Sequence, residues 1–324
     1  MTSKIVKYSG SIDVGGTKTL VGIVDENGNL LAKKHFVTEK SDCLAHLAHC
    51  CDGFNDCLAE SNLSIGDIEG IGVNMPGMVD AETGILLEAP FAKWYNVDIK
   101  GYIVEKLQIK DVFVENDVNS CAVGEQIFGG ATGDFLWVTV STGIGGAIVS
   151  DGAVLHGSNS CAGEMGHVKV EYEHPAQCSC GQWGCAEAHG SGTAITREFA
   201  KRVKNDQALT ALLAERNLLP DAKSCAILAK EGNQAALEVC AEAAKYIGRA
   251  LAYAANLLNP KTIYIGGGVS ESLDLLLPDI RRELERDTVK QNAGVEILKT
   301  SLGYDAALLG AAALVFSLRC REPR

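Results

Sequence analysis

Short apolar runs that end at glycine alternate with longer stretches of helical periodicity along the chain. The runs at 9–14, 19–25 and 30–37 predict three strands, and the turn residues at 25–29 predict a hairpin between the last two. Further strands are expected at 70–74, 111–115, 135–141, 144–149, 261–265 and 294–298. Helices are expected at 41–60, 98–107, 118–128, 235–258, 270–286 and 305–319, and from about 191 the chain becomes mainly helical. Because strands alternate with helices, the pattern predicts an α/β fold.

Two glycine-rich turns follow strands in the same way, one at 13–19 and one at 139–147. This parallel suggests that the fold was built twice from a similar half. A boundary between the halves is expected near 118–122, although no change in composition marks it.

The 324 residues carry a net charge of −12 at pH 7. An acidic surface is poorly suited to nucleic acid or to an anionic membrane, whose phosphates attract basic groups. The first ten residues lack the apolar core of a signal peptide, and no apolar run reaches the ~18 residues of a membrane span. We therefore expect a cytoplasmic protein that binds neither nucleic acid nor membrane.

The 12 cysteines fall into two groups. In a reducing compartment the scattered ones are expected to be small buried thiols and not disulfides. These nine are Cys43, Cys50, Cys51, Cys57, Cys121, Cys161, Cys225, Cys240 and Cys320. The other three are close together and have the spacing of a metal site.

Cys178, Cys180 and Cys185 lie within eight residues, and glycines at 181 and 184 allow their thiolates to converge. Thiolates favour zinc or iron–sulfur over magnesium, and structural zinc nearly always has four ligands. The spacing does not decide whether the fourth ligand is His167, His174 or His189. Because four protein ligands leave no open position, the site is predicted to be structural.

Three glycine-rich loops, each placed after a predicted strand, could bind phosphate: Asp13–Lys18, Thr142–Gly146 and Gly266–Gly268. Their backbone N–H groups can face an anion, and Asp13 can hold Mg²⁺ directly or through water. None is a Walker A loop, because Gly16 stands where the lysine is required. None is a dinucleotide-binding fingerprint either. Together the three loops indicate a metal–triphosphate site.

Two further groups of acids are candidates for chemistry. Asp117 ends the segment Glu115-Asn116-Asp117, which follows a strand and precedes a helix, a position that suits a catalytic acid. The alternative is that Asp117 only caps the helix. Glu164 and Glu187 flank the three cysteines, so a metal that joins His167 to 178–185 would bring both acids to one surface. Clustered carboxylates, amides and imidazoles bind polyols well.

These motifs together resemble the ROK family of sugar kinases and repressors, and the resemblance spans nearly the whole chain. It rests on Asp13–Lys18 (DVGGTK), Met75–Gly77 (MPG), Glu115–Asp117 (END), Ser141–Gly146 (STGIGG), Ala162–His167 (AGEMGH), Cys178–Glu187 (CSCGQWGCAE) and Ile265–Gly268 (IGGG). The fifth and sixth, in this order and spacing, are highly specific.

The resemblance implies a two-lobed actin/hexokinase-like (ribonuclease H-like) α/β fold with the active site in the cleft between the lobes. We expect an N-terminal lobe at 1–120 and a larger C-terminal lobe at 121–305 that contains the metal loop. A last helix, at 306–324, is expected to pack back on the N-terminal lobe.

The resemblance also implies the ligands. Structural zinc would be bound by His167, Cys178, Cys180 and Cys185. The sugar would be contacted by Gly77, Asn116, Asp117, Glu164, His167 and Glu187. ATP with Mg²⁺ would be contacted by Asp13, Gly15, Gly16, Thr17, Lys18, Thr142, Gly143, Gly266, Gly267 and Gly268.

The implied activity is phosphorylation of a hexose at its 6-hydroxyl, with Asp117 as the base. Glucose is favoured, because Trp94-Tyr95-Asn96-Val97 resembles the Trp-x-Asn-Val segment of the glucokinase-like members. Met78 is shared with acetylhexosamine kinases, so N-acetylglucosamine and N-acetylmannosamine are the alternatives.

Two non-enzymatic classes are disfavoured. Repressors of this family carry a helix-turn-helix domain before the loop that corresponds to Asp13–Lys18. In this chain the loop begins within fifteen residues of the start, which leaves no room for such a domain. A sugar sensor without activity is disfavoured because Asp13 and Asp117 are both present. Members of the family are usually homodimers or homotetramers, which is the expectation here.

Overall fold

The computed structural model describes residues 6–317. Cys320 and the end of the helix expected at 305–319 lie outside the described residues. The strands are β1 (Tyr8–Val14), β2 (Lys18–Asp25), β3 (Leu30–Val37), β4 (Ile68–Met75), β5 (Met78–Asp80), β6 (Ile85–Ala89), β7 (Trp94–Asp98), β8 (Val112–Asn116), β9 (Phe135–Val140), β10 (Ile144–Ser150), β11 (Ala153–Val154), β12 (Thr262–Gly266) and β13 (Glu296–Lys299). The helices are α1 (Cys43–Glu60), α2 (Ile99–Leu107), α3 (Asp117–Ile127), α4 (Ala186–Gly190), α5 (Gly192–Asn205), α6 (Gln207–Glu215), α7 (Ala222–Lys230), α8 (Gln234–Leu258), α9 (Leu273–Asp287) and α10 (Ala306–Ser317).

The first sheet has the strand order β3-β2-β1-β4-β8. β1 is antiparallel to β2 and parallel to β4, and β4 is parallel to β8. The parallel register pairs Asp13 with Asn74, Asn74 with Glu115, and Met75 with Asn116. Polar residues from three strands therefore form a row at the carboxyl edge of this sheet.

The second sheet has the order β11-β10-β9-β12-β13, with β12 parallel to both β9 and β13. Strand by strand this is the arrangement of the first sheet, as the two similar glycine-rich turns suggest. Gly266 pairs with Thr139, so the turns after β9 and β12 leave the sheet at the same edge.

A third, small sheet of order β5-β6-β7 was not predicted from the sequence. Its strands have only three to five residues and are partly exposed, so they lack the apolar alternation that identifies a strand. The sheet follows Gly77, and its antiparallel register places Met78 opposite Glu88.

α10 covers one face of the first sheet and also packs on α3. The helix backbone comes so close to β4 that a Cβ at Gly72 would lie 1.7 Å from the carbonyl oxygen of Ala311. Asn74 Nδ2 donates to the carbonyl of Ala307 at 2.6 Å, and Ser11 Oγ donates to that of Leu308. α10 is thus bonded directly to the strands that carry the polar row.

Most of the scattered cysteines are buried thiols, as predicted. Four of them lie on α1 and face the core of the first sheet beside Phe54. Cys121, Cys225 and Cys240 are also buried, whereas Cys161 is only partly buried, so the prediction was wrong there. Among the described residues no helix combines the length and apolarity that a membrane crossing requires.

The chain forms two compact units. Of the described residues, the first contains 6–132, Ile148–Ala162 and 300–317, and the second contains Gly133–Ala147 and Gly163–Lys299. The first unit extends beyond the boundary expected at 120 because α3 packs against α10 and β11, which keeps α3 and the 148–162 segment with the first sheet.

Candidate functional site

Residues 15–18, called the phosphate loop below, are the turn between β1 and β2 and the first residue of β2, and the sequence predicts that they bind phosphate. Gly15 N donates to the carbonyl of Lys18 at 3.0 Å, which closes the turn. Gly16, Thr17 and Lys18 are exposed. This exposed stretch lies at the edge of the sheet, close to Asp13, where an anion can reach it.

Asp13 and Asp117 form an acidic pair in the first unit. Burial, and after it the charge of Asp117, raise the pKa of Asp13 to about 7, although Asn74 and Lys18 oppose the shift. Asn74 Nδ2 lies 3.4 Å from Asp13 Oδ1. The two carboxylates repel each other, as the effect of Asp117 on Asp13 shows, and a divalent cation would relieve that repulsion. The donor set therefore fits Mg²⁺.

Asn116, and not Asp117, is the N-cap of α3. Its Oδ1 accepts from the amides of Val118 at 2.9 Å and Asn119 at 3.2 Å, and its Nδ2 donates to the carbonyl of Gly77 at 3.1 Å. The alternative that Asp117 caps the helix is therefore wrong. Asp117 instead occupies the first turn, where the helix dipole favours a negative charge.

Glu115 is buried and holds the start of α3 in place. Its Oε1 accepts from Asn116 N at 2.8 Å and from Asn119 Nδ2 at 3.0 Å, while its Oε2 lies 2.6 Å from Nε2 of His156. Sequence reasoning missed His156, which is 41 residues away and belongs to no motif. It also missed Asn74, although a polar residue near the end of a buried strand is a signal for it.

Gly77 cannot be replaced without strain. Its φ is +151°, and a Cβ would lie 2.2 Å from the carbonyl oxygen of Glu88. Such strain costs about 1–3 kcal/mol. We expect Gly77→Ala to lower the melting temperature and to shift the carbonyl that orients Asn116, so that kcat/KM falls at least about tenfold. Steady-state kinetics and calorimetry measure both effects.

Gly66→Ala is the matched control, since a Cβ there would meet only Ser64 Oγ, at an ordinary 3.7 Å. Wild-type kinetics in Gly77→Ala would show that this carbonyl does not orient the site.

In the second unit His167, Cys178, Cys180 and Cys185 converge, with all four ligand atoms within 4.8 Å of one another. Cys180 and Cys185 Sγ are 3.8 Å apart, and Cys178 Sγ lies 3.6 Å from His167 Nδ1. A tetrahedron of 2.3 Å metal–sulfur bonds has edges of about 3.8 Å. These four residues therefore fit one four-coordinate metal ion.

The two other histidines lie outside this group. His189 Nε2 accepts from Ala176 N at 3.0 Å, and its ring lies 4.5 Å from that of Tyr246. His174 donates its amide to Glu171. Lys169 Nζ donates to Cys185 Sγ at 3.0 Å, a cation well placed to stabilise a thiolate.

Glu164 and Glu187 lie beside the metal-binding group. Glu187 Oε1 accepts from Ser179 Oγ at 2.6 Å, and its Oε2 accepts from Ile144 N at 3.1 Å. His167 Nε2 lies 3.7 Å from Glu164 Oε2. With Nδ1 turned to the cysteines, His167 can bind the metal and still offer Nε2 to a hydroxyl. Ser179, which orients Glu187, was not predicted.

The two glycine-rich turns of the second unit are neighbours. Ser141 N donates to Gly143 O at 2.9 Å, which closes the first turn, and Ser270 Oγ donates to Gly267 O at 2.7 Å in the second. The first turn is shorter than the loop expected at 142–146, because β10 already begins at Ile144. The parallel pairing of β9 with β12 places Thr142, Gly143 and Gly266–Gly268 at one edge.

Comparison with known proteins gives consistent results. The model of the ROK family matches residues 9–317. The chain is 35% identical to the glucokinase of Halalkalibacterium halodurans over 309 residues, which cover 94% of this chain and 93% of that protein. It is 34% identical to the glucokinase of Thermotoga maritima, covering 94% and 96%. The structure of a ROK family glucokinase from Streptomyces griseus in complex with glucose and AMPPNP superposes with a TM-score of 0.80 at 29% identity, covering 95% and 98%.

Proposed function

The chain belongs to the ROK family, and we propose that it phosphorylates glucose. It is an ATP-dependent sugar kinase of the predicted two-lobed actin/hexokinase-like fold. The observation that carries this proposal is the acidic pair Asp13 and Asp117 beside the exposed phosphate loop, in a chain similar to glucokinases over its length. Trp94 gives glucose no extra support, since it is buried and its Nε1 donates to Lys40 O at 3.1 Å. Its role is packing.

In the proposed reaction Asp117 accepts the proton of the sugar 6-hydroxyl. The oxygen forms a bond to the γ-phosphorus while the bond to the leaving ADP oxygen breaks in line. Asp13 would hold Mg²⁺ bound with the nucleotide, and the ion would neutralise charge on the phosphates. The amides of the phosphate loop orient the phosphates, so that most of the acceleration comes from positioning.

We propose that the residues that contact the sugar are Gly77, Asn116, Asp117, Glu164, His167 and Glu187. The carboxylates and the imidazole can each pair with hydroxyls. We propose that the nucleotide is held by Asp13, the phosphate loop, Thr142, Gly143 and Gly266–Gly268.

We propose that the ion held by His167 and the three cysteines is zinc. Three thiolates and an imidazole at tetrahedral spacing favour zinc, and four protein ligands leave no position for catalysis. The ion would stabilise the loop that carries Ser179 and precedes Glu187. We also propose that the enzyme acts in the cytoplasm as a homodimer or homotetramer, as the family resemblance implies.

The test is an ADP-release assay with MgATP against glucose, N-acetylglucosamine, N-acetylmannosamine, mannose, fructose and allose. We expect glucose to give the highest kcat/KM, at or above about 10⁴ M⁻¹ s⁻¹. If kcat/KM were higher for an N-acetylhexosamine, that sugar and not glucose would be the substrate. Calorimetric binding of a sugar without turnover of any would instead indicate a sensor.

A further inference from the structure

A line of buried polar groups runs beneath the phosphate loop of the first unit, from α1 to the carbonyl of Gly15. Thr38 Oγ1 lies 2.7 Å from Gly15 O, Thr19 Oγ1 lies 2.9 Å from Thr38 Oγ1, and His46 Nε2 lies 2.8 Å from Thr19 Oγ1. Thr19, Thr38 and His46 are 0%, 4% and 1% exposed, so these contacts are shielded from water. None of the three residues belongs to a motif recognised in the sequence.

The hydrogen-bond partners at the two ends of this line determine which group donates in each of its hydrogen bonds. Glu39 N donates to His46 Nδ1 at 3.3 Å, so Nδ1 accepts and the ring hydrogen sits on Nε2. His46 therefore donates to Thr19, and Thr19, having one hydrogen, donates to Thr38. Thr38 donates to the Gly15 carbonyl, which only accepts. Burial lowers the pKa of His46, in keeping with the neutral ring that this order requires.

The imidazole at the start of the line is held from both sides. Its ring centroid lies 5.8 Å from that of Phe36, edge to face, and 5.9 Å from that of Trp94. Trp94 is itself fixed through its bond to Lys40 O. The first donor of the line is therefore set by packing of the unit's core.

The far end of the line acts on the loop through peptide geometry. In a trans peptide the C=O and the following N–H point in opposite directions. The Gly15 carbonyl, bound inward by Thr38, therefore turns the amide of Gly16 outward, where the loop is exposed. Thr38 N also donates to Thr17 O at 3.0 Å, a second anchor on the same side of the loop.

We propose that Thr38, Thr19 and His46 are positioning residues that aim the Gly16 amide at a phosphate of ATP. The role rests on the proposed kinase function and assigns to these residues no contact with either substrate. Their effect is on nucleotide binding, because the loop they support carries no group that we place on the sugar.

Thr38→Val and Thr38→Ser test the proposal. Valine keeps the size of the side chain and removes the hydroxyl, so we expect KM for MgATP to rise about tenfold, with KM for the sugar changing less than twofold. A tenfold change corresponds to about 1.4 kcal/mol, the scale of one buried hydrogen bond. Serine restores the hydroxyl, and its KM for MgATP is expected within about twofold of wild type.

A second variant tests whether the residues act as one line. His46→Leu removes the first donor, so its effect and that of Thr38→Val should not add. We expect the double variant to have a KM for MgATP close to that of the worse single variant. If the two fold-changes in KM for MgATP multiplied in the double variant, the residues would contribute independently. That result would overturn the proposal that they act as one line.

Thr300→Val is the matched control, a buried threonine of the same unit whose hydroxyl donates to Glu125 at 2.6 Å. It should lower the melting temperature and leave KM for MgATP unchanged. Equal rises of this KM in Thr300→Val and Thr38→Val, or no rise in Thr38→Val, would overturn the proposal. If the wild-type protein turned over no sugar, the proposed function would fail, and the dissociation constants of MgATP, measured by calorimetry on the same variants, would then decide the inference.

Discussion

Asp117→Asn is expected to lower kcat by about 10²–10⁴-fold, the usual contribution of a positioned general base. Asparagine keeps the shape of the side chain but cannot accept the proton of the sugar hydroxyl. Since Asn116 supplies the cap of α3, the helix should start unchanged. Sugar affinity measured by calorimetry should therefore fall much less than kcat.

The same substitution should change the titration of Asp13. The charge of Asp117 is one of the causes that raise the pKa of Asp13 to about 7, so its removal should lower that pKa. NMR titration of the Asp13 carboxyl carbon would detect the shift. Asp98→Asn is the control for an acid at a helix start, because Asp98 caps α2 and asparagine caps equally well. Retention of most turnover in Asp117→Asn would remove the catalytic role.

Removal of the metal is expected to have the largest effect on stability. Cys185→Ser replaces a fully buried ligand of the group of four, and the remaining three should lose the ion. We expect a loss of at least about 3 kcal/mol, which is a fall in melting temperature of about 6–12 °C for a unit of this size. Activity should fall with it, because the freed loop no longer orders Ser179 and Glu187.

Elemental analysis by mass spectrometry provides the direct readout, with one zinc per wild-type chain and none in Cys185→Ser. Cys225→Ala, which removes a buried thiol of α7 outside the group, should lose some stability but no metal. A wild-type protein that bound no metal after purification with zinc would contradict the site. A Cys185→Ser variant that kept one zinc per chain would also contradict the site.

The sequence predicted those features that depend on residues close to one another along the chain. The helices and long strands follow from periodicity, and the metal-binding cysteines and the phosphate loop are each contained in a short segment. Geometry was needed to choose between Asn116 and Asp117 as the cap, since both residue types favour that position. Contacts such as Glu115 with His156, Asn74 with Ala307, and Thr38 with Gly15 are products of tertiary packing. No spacing rule links such residues, so single-sequence reasoning could not find them.

The discontinuity of the first unit has a consequence for biosynthesis. When residues through Thr132 have left the ribosome, β1 and β4 still lack α10, which is translated only after the second unit. During synthesis of the whole second unit, that face of the nascent sheet stays open to chaperones or to non-native partners. Nonsense mutations even a few codons before Ala306 would leave it open permanently. Asn74, the partner of Asp13, would then lose its bond to Ala307, so this part of the first unit is completed only after α10 has been translated.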